Sequence, residues 1–284
     1  MKDKVLKIML FCSAVVLLLL MAGILYALIS QSIPAFKHFG FFQFISSTEW
    51  NQIEGQEQYG ALSFITGTIL TSLLALIISI PFSVSLSFLI GELFVGKKIA
   101  FWINSFLNIL AGIPPIILGI WGYYSLRPLL ISLNIGHHGY GIFSAAILLS
   151  LMIIPYSTSI STTFFALVPM KLKESAYSLG ATRFEVIRNI SIPYIKKCLI
   201  AAHVFALGKV MGETIAVTMI IGNINYIPSK ITDTGNTLAS VILNQFETIS
   251  DLKFSALFAI ALLLFIITAV INLMARYMIR RVVL

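Results

Sequence analysis

Hydrophobic residues along this chain fall into long, nearly unbroken runs separated by short polar stretches. Six runs reach the roughly 20 mainly apolar residues that a helix needs to cross a bilayer: 7–30, 62–90, 101–126, 141–167, 198–222 and 254–276. The pattern predicts an all-α polytopic membrane protein with six transmembrane helices. The first run follows Lys2, Lys4 and Lys7, as a signal peptide's would, but is longer than the 7–15 apolar residues of a signal core. A retained anchor is expected. Three parts follow from the spacing: residues 1–30 as an N-terminal end and first span, 31–60 as a loop, and 61–284 as the main membrane body.

The longest interior stretch that is not hydrophobic is ESAYSLGATRFEVIRNISIP, residues 174–193, within a polar segment beginning at 171. Its residues predict two short helices. The first, near 172–179, ends at Gly180, which tolerates the left-handed conformation of a helix stop. Thr182 and Glu185 have the spacing of a capping box opening the second. Pro193 is expected to mark the turn into the next span. Phe184, Val186 and Ile187 give the second helix an apolar side, and Arg183, Glu185 and Arg188 keep it in water. Patterning alone leaves two readings open, an ordinary amphipathic loop or a knob that docks in a groove on another protein.

The spacing Glu174-Ser175-Ala176, then Gly180, then Ile190 and Ile192-Pro193 resembles the EAA motif of binding-protein-dependent ABC importer permeases. Ser175 stands for the usual Ala and Ile192 for the usual Leu. The resemblance implies a type I ABC importer permease fold. It also implies that 174–193 is a coupling segment seated in a cleft of an ATPase subunit, with Glu174, Ser175, Ala176, Gly180, Ala181, Thr182, Ile190 and Pro193 carrying the contact.

Composition and charge sharpen this picture. The chain is 58% hydrophobic and 11% charged, against about 25% charged in soluble domains. Its net charge of +8 need not imply a nucleic-acid partner, because the basic residues follow topology. With the N-terminus inside, cytoplasmic segments hold fourteen Lys and Arg and outside loops four, Lys37, Arg127, Lys230 and Lys253. Both termini are therefore expected in the cytoplasm, with the excess charge at lipid headgroups. Loop 31–60 is then external. It carries Glu49, Glu54 and Glu57 and a group of aromatics (Phe36, Phe39, Phe41, Phe42, Phe44, Trp50), expected mostly to form an interfacial belt. His137 and His138 have no further ligand nearby and are expected to be solvated; no metal site and no cofactor is expected. Cys12 and Cys198 lie in apolar runs and suggest no disulfide. Prolines 81, 114, 115 and 155, set among Ser and Thr, suggest interrupted helices whose freed carbonyls find hydroxyls or face a polar path.

Lys209 is the one Lys or Arg in the interior of a predicted span, away from its ends, and it shares GKVMGET with Glu213. Four residues apart in a continuous helix, the two would share a face. A charge at membrane depth costs a few kcal/mol even on lenient scales. The readings are a self-neutralising structural pair, or a cation along an anion path with its partner balancing it. LAGIPPIILGIWG, HGYGIFSAAI, LGKVMGETIAV, TLASVIL and TEW together resemble the C-type permease subunit of phosphate-specific ABC importers (PstC-like) over nearly the whole chain. In that family the fifth-span motif usually reads Gly-Arg-x-x-Gly-Glu. The resemblance places Lys209 at the Arg, a fork-less substitute, and Glu213 at the Glu, so Lys209, Glu213 and Thr214 are the expected translocation residues. It implies a homologous permease partner, two ATPase subunits, an external phosphate-binding protein and a bacterial plasma (inner) membrane location. No G-x-x-x-x-G-K-[ST] loop occurs, and no nucleophile–base set; His203 has no acid near it in sequence. No catalytic residue is expected. The rival readings are a permease for another oxyanion, sulfate or molybdate, and an ion-coupled secondary transporter using Glu213.

Overall fold

The computed structural model describes residues 2–53, 55–136, 138–246 and 251–283; Glu54 and His137 lie outside them. Five helices are long and apolar enough to cross a membrane, and a sixth span is a bent pair. Helix α1 (Lys2–Phe39) is followed by a short α2 (Phe41–Ser46) and a two-residue hairpin, β1 (Trp50–Asn51) with β2 (Gln58–Tyr59), pairing Trp50 with Tyr59. Then come α3 (Leu62–Phe88), α4 (Lys98–Gly112), α5 (Pro115–Trp121), α6 (Arg127–Ser132) and α7 (Ile142–Phe165). The polar segment forms α8 (Met170–Ser178) and α9 (Arg183–Val186), and α10 (Ile192–Met211), α11 (Ile215–Thr218), α12 (Leu238–Gln245) and α13 (Asp251–Val283) complete the chain.

Lipid tails are as apolar as the side chains, so helix association here relies on close packing more than on water exclusion. The buried core accordingly has many small residues: Ala75, Ala145, Ala146, Ala206 and Ala216 beside Leu148, Leu149 and Ile220. α3 lies along α7, and α13 packs against both α1 and α10. Gly67 lets the backbone of Asn236 close on α3: a Cβ there would stand 2.0 Å from its carbonyl oxygen.

The structure departs from the expected spans in three places. The third span, placed at 101–126 with an interruption expected at its prolines, starts earlier, at Lys98, ends later, at Ser132, and bends by 91° between α4 and α5, because Pro114 and Pro115 withhold donors and push Ile113 out of the helical region. The first helix runs on to Phe39, through the first part of the expected external loop. The fifth span is displaced towards the N-terminus: instead of 198–222, one helical rod runs Arg183–Met211. Pro193 does not end the second knob helix. A π-turn over Ile187–Ser191, closed by Ile192 N–H on the Ile187 carbonyl, precedes Pro193 and admits one extra residue where a proline would otherwise break the ladder. The same device, a π-turn over Gly122–Leu126, precedes Pro128.

The aromatic loop is a second correction of kind. Most of these rings form a core, not a belt. Phe44 is fully buried, Phe36 meets Phe41 and Phe44 edge-on, and Trp50 meets Tyr59 and Phe64 edge-on. This cap closes over Leu238, Val241 and the start of α13, and Ala35 N–H donates to Ser255 Oγ at 2.9 Å. Phe42, 84% exposed, is the ring left for an interface. Cys12 and Cys198 are free thiols.

Candidate coupling and translocation sites

The knob at 170–186 is built as its residues dictate. α8 ends in a Schellman motif: Ala181 N–H reaches the Ala176 carbonyl (3.1 Å) and Gly180 N–H the Tyr177 carbonyl (3.0 Å), with Gly180 at φ +83°. Thr182 opens α9 with both halves of a capping box: its backbone N–H donates to Glu185 Oε2 at 2.7 Å, and Glu185 N–H donates to Thr182 Oγ1 at 3.3 Å. Such a cap contributes about 1 kcal/mol. Glu185, favoured by these donors from Thr182, needs no other partner. Glu174, Ser175, Gly180, Thr182 and Pro193 are exposed, while Ala176, Ala181 and Ile190 are half-buried. Leu179 (90% exposed) and Phe184 (65%) present apolar surface beside them, an unusual display for residues flanking a tight turn. Lys173 is different. Its ammonium sits 2.6 Å from Glu92 Oε2.

The fifth-span pair is not arranged as expected. α10 ends at Met211, and Glu213 N–H turns back to the Val210 carbonyl (3.0 Å), so Glu213 leaves the helix that carries Lys209. No ion pair joins the two among the described residues. Lys209 Nζ instead lies 4.7 Å from the centre of the Tyr156 ring, a contact that holds a cation without neutralising it. Glu213 Oε1 accepts from Ala216 N–H (3.4 Å), capping α11. Thr214 Oγ1 turns to the Gly212 carbonyl (3.2 Å). Lys209 is exposed in the single chain, twelve residues beyond Lys197, or about 18 Å along a helix, within a rod of membrane-spanning length. A cation there is tolerated only where protein or water covers it.

The helix breaks meet. α11, formed after the break at Gly212, packs on α5, formed after the break at Pro114: a Cβ on Gly119 would stand 3.3 Å from Ala216 Cα. From Ile221 to Thr237 the chain is irregular, and several of the backbone groups in and around it are paired within the bundle. Ile142 N–H donates to the Asp233 carbonyl (3.0 Å), Gly235 N–H to that of Ile221 (3.2 Å), and Leu238 N–H to Thr68 Oγ1 (2.9 Å). The five stretches that carry the family resemblance thus fall on the cap, the 91° break, the opening of α7, the end of α10 and α12. The hydroxyls around the prolines mostly serve their own helices, as Ser85 does for the Pro81 carbonyl (2.6 Å). His203 is buried, with Ser83 Oγ at 2.9 Å and the Leu199 carbonyl at 2.7 Å, and no carboxylate beside it. Sequence reasoning missed Tyr156 and Glu92. The hydroxylated ring directly after Pro155 was the available signal for the first.

Interrupted membrane-length helices that meet within the bundle, together with a capped helical knob, fit the class of membrane transport permeases, and the chain's similarity to known proteins shows that class. The chain belongs to the family of binding-protein-dependent transport system inner membrane components, whose sequence profile matches residues 83–284. It is 37% identical to a phosphate transport system permease protein PstC of Mesorhizobium japonicum, over 95% of this chain and 88% of that one. It is 35% identical to the PstC of Pasteurella multocida over 95% and 89%. In fold it is similar to a bacterial ABC transporter involved in the import of the polysaccharide alginate (TM-score 0.66, 19% identity, 99% and 96% covered). The type I ABC importer permease fold expected from the knob motif is therefore present, in a multi-pass inner-membrane permease.

Proposed function

We propose that this chain is one permease subunit of an ATP-driven importer of inorganic phosphate, paired with a homologous second permease. The near full-length similarity to phosphate permeases carries this reading. Two ATPase subunits dock on the knob, through Glu174, Ser175, Ala176, Gly180, Ala181, Thr182, Ile190 and Pro193, with Leu179 and Phe184 filling apolar hollows in the cleft. An external phosphate-binding protein delivers the anion to the end of the bundle capped by residues 31–60. Both termini lie in the cytoplasm of a bacterial cell, a placement supported by the excess of basic residues on that side. Closure of the ATPase dimer moves the knob, and the spans reopen outward.

Lys209, Glu213 and Thr214 lie on the translocation path, on the face that meets the second permease. The exposure of Lys209 in the single chain supports this placement. Tyr156 holds the ammonium in place while leaving its charge available to the anion, and Glu213, occupied in capping α11, leaves that charge unneutralised. At an effective dielectric of 20–80, a unit charge about 4 Å from an anion contributes about 1–4 kcal/mol. Lys209→Met in the assembled complex therefore lowers the uptake of labelled phosphate about fivefold or more, while Lys209→Arg retains it. Normal uptake by the Met variant would remove Lys209 from the path.

A further inference from the structure

Besides its C-terminal link through Gly180 to the α9–α10 rod, α8 is joined to the rest of the bundle in two ways. One is the chain itself, through Pro169 and the end of α7. The other is the contact between Lys173 and Glu92, 81 residues apart. Glu92 belongs to a π-turn over Leu89–Leu93 that finishes α3, closed by Phe94 N–H on the Leu89 carbonyl at 2.9 Å. The extra residue of such a turn shifts side chains off the row that a regular helix would give them. Here it accompanies a carboxylate that reaches α8.

The pair has little water. The Lys173 and Glu92 side chains are 11% and 8% exposed, at 2.6 Å separation. Desolvated ions hold together only in good geometry, and removing one leaves the other uncompensated, so this contact resists stretching in a way that a surface ion pair does not. Around it the packing is loose. A cavity of about 580 Å³ lies between the end of α3, the Phe165–Pro169 turn and the knob, and both ions line it. α8 thus borders an open cleft on this side, with a charged attachment across it.

We propose that the Glu92–Lys173 ion pair is a strut that passes displacement of the knob into α3. Without the pair, α8 would act on the bundle only through its chain connections to α7 and to the α9–α10 rod. Tied to α3 as well, it pushes α3 and α7 together, and these two helices pack along their length. α3 then carries the movement to its far end, where Thr68 holds the start of α12. Glu92 and Lys173 are positioning residues: neither needs to touch phosphate or ATP. The inference rests on the knob being the place where ATPase motion enters.

The test uses the complete importer in proteoliposomes, with binding protein supplied, and measures phosphate moved per ATP hydrolysed by assembled complex. A residue that only supports folding changes the amount of complex, not this ratio. Glu92→Gln and Lys173→Met are expected to keep ATP hydrolysis and lower the ratio about fivefold or more, the scale of ordinary coupling between sites. Glu92→Asp keeps the charge but shortens the strut by one methylene, and is expected to lower the ratio in the same direction. The swapped pair Glu92→Lys with Lys173→Glu recovers much of it. A wild-type ratio in Glu92→Gln and Glu92→Asp overturns the strut. Where the neutral variants fail to assemble, Glu92→Asp decides alone: a lowered ratio supports the strut and an unchanged one overturns it. Absence of ATP-dependent phosphate uptake by the unaltered complex is a separate outcome, which removes the transport reading itself.

Discussion

Replacing Gly180 isolates the contribution of a single backbone angle to energy coupling. Gly180 sits at φ +83°, and nothing lies within 4 Å of where its Cβ would stand. A side chain here therefore meets no steric clash within the chain, and its penalty is that of the left-handed backbone, about 1–2 kcal/mol for an ordinary residue. β-branched residues fare worst, and Asn, which visits this region readily, fares best. Each 1.4 kcal/mol is about tenfold in population. Gly180→Val is thus expected to lower the equilibrium constant for the Schellman stop by about tenfold, and to lower phosphate moved per ATP. Gly180→Asn should stay within about twofold. The assay is ATP-driven uptake by the reconstituted complex alongside ATP hydrolysis, with membrane levels of the chain checked by blotting. Wild-type coupling in the Val variant would refute the backbone argument. Equal damage from Asn and Val would refute it differently, showing that space on the ATPase side, not the φ angle, is what Gly180 provides.

Other perturbations follow from the same geometry. Thr182→Ala removes the acceptor of the capping box and is expected to cost about 1 kcal/mol, read as weaker retention of the ATPase on purified permease; Thr182→Ser should restore it. Gly67→Ala drives a methyl into the Asn236 carbonyl, an overpacking of about 1–3 kcal/mol, read as a lower unfolding temperature in detergent. Phe44→Ala opens the cap core at about 3–5 kcal/mol, whereas Phe42→Ala, at a ring 84% exposed, should leave thermal stability unchanged and affect only uptake that depends on the binding protein.

The parts of the fold that were legible in the sequence are those governed by local rules. The knob's stop and start were set by Gly180 and by the Thr182–Glu185 spacing, and both formed as read. Six apolar runs could be counted because lipid demands length and apolarity. Positions decided by tertiary context were not legible. Pro193 reads as a terminator, yet the preceding π-turn lets the helix continue, and no residue type announces such a turn. That continuation moves the fifth span towards the N-terminus, so Glu213 falls beyond the helix end and the expected face shared with Lys209 does not exist. The rings of 36–50 read as a belt because aromatic content does not say what lies above them; α12 and α13 do. Glu92 and Lys173, far apart in sequence, appeared as separate polar residues near the ends of spans until the fold joined them.

The central claim is that this permease moves phosphate at the expense of a partner's ATP. The most direct measurement is uptake of labelled phosphate into vesicles carrying the second permease and ATPase, with binding protein present, with and without this chain. The account predicts uptake that requires both the chain and ATP and persists in excess sulfate. Uptake competed away by sulfate, or driven by a proton gradient without ATP, would contradict it.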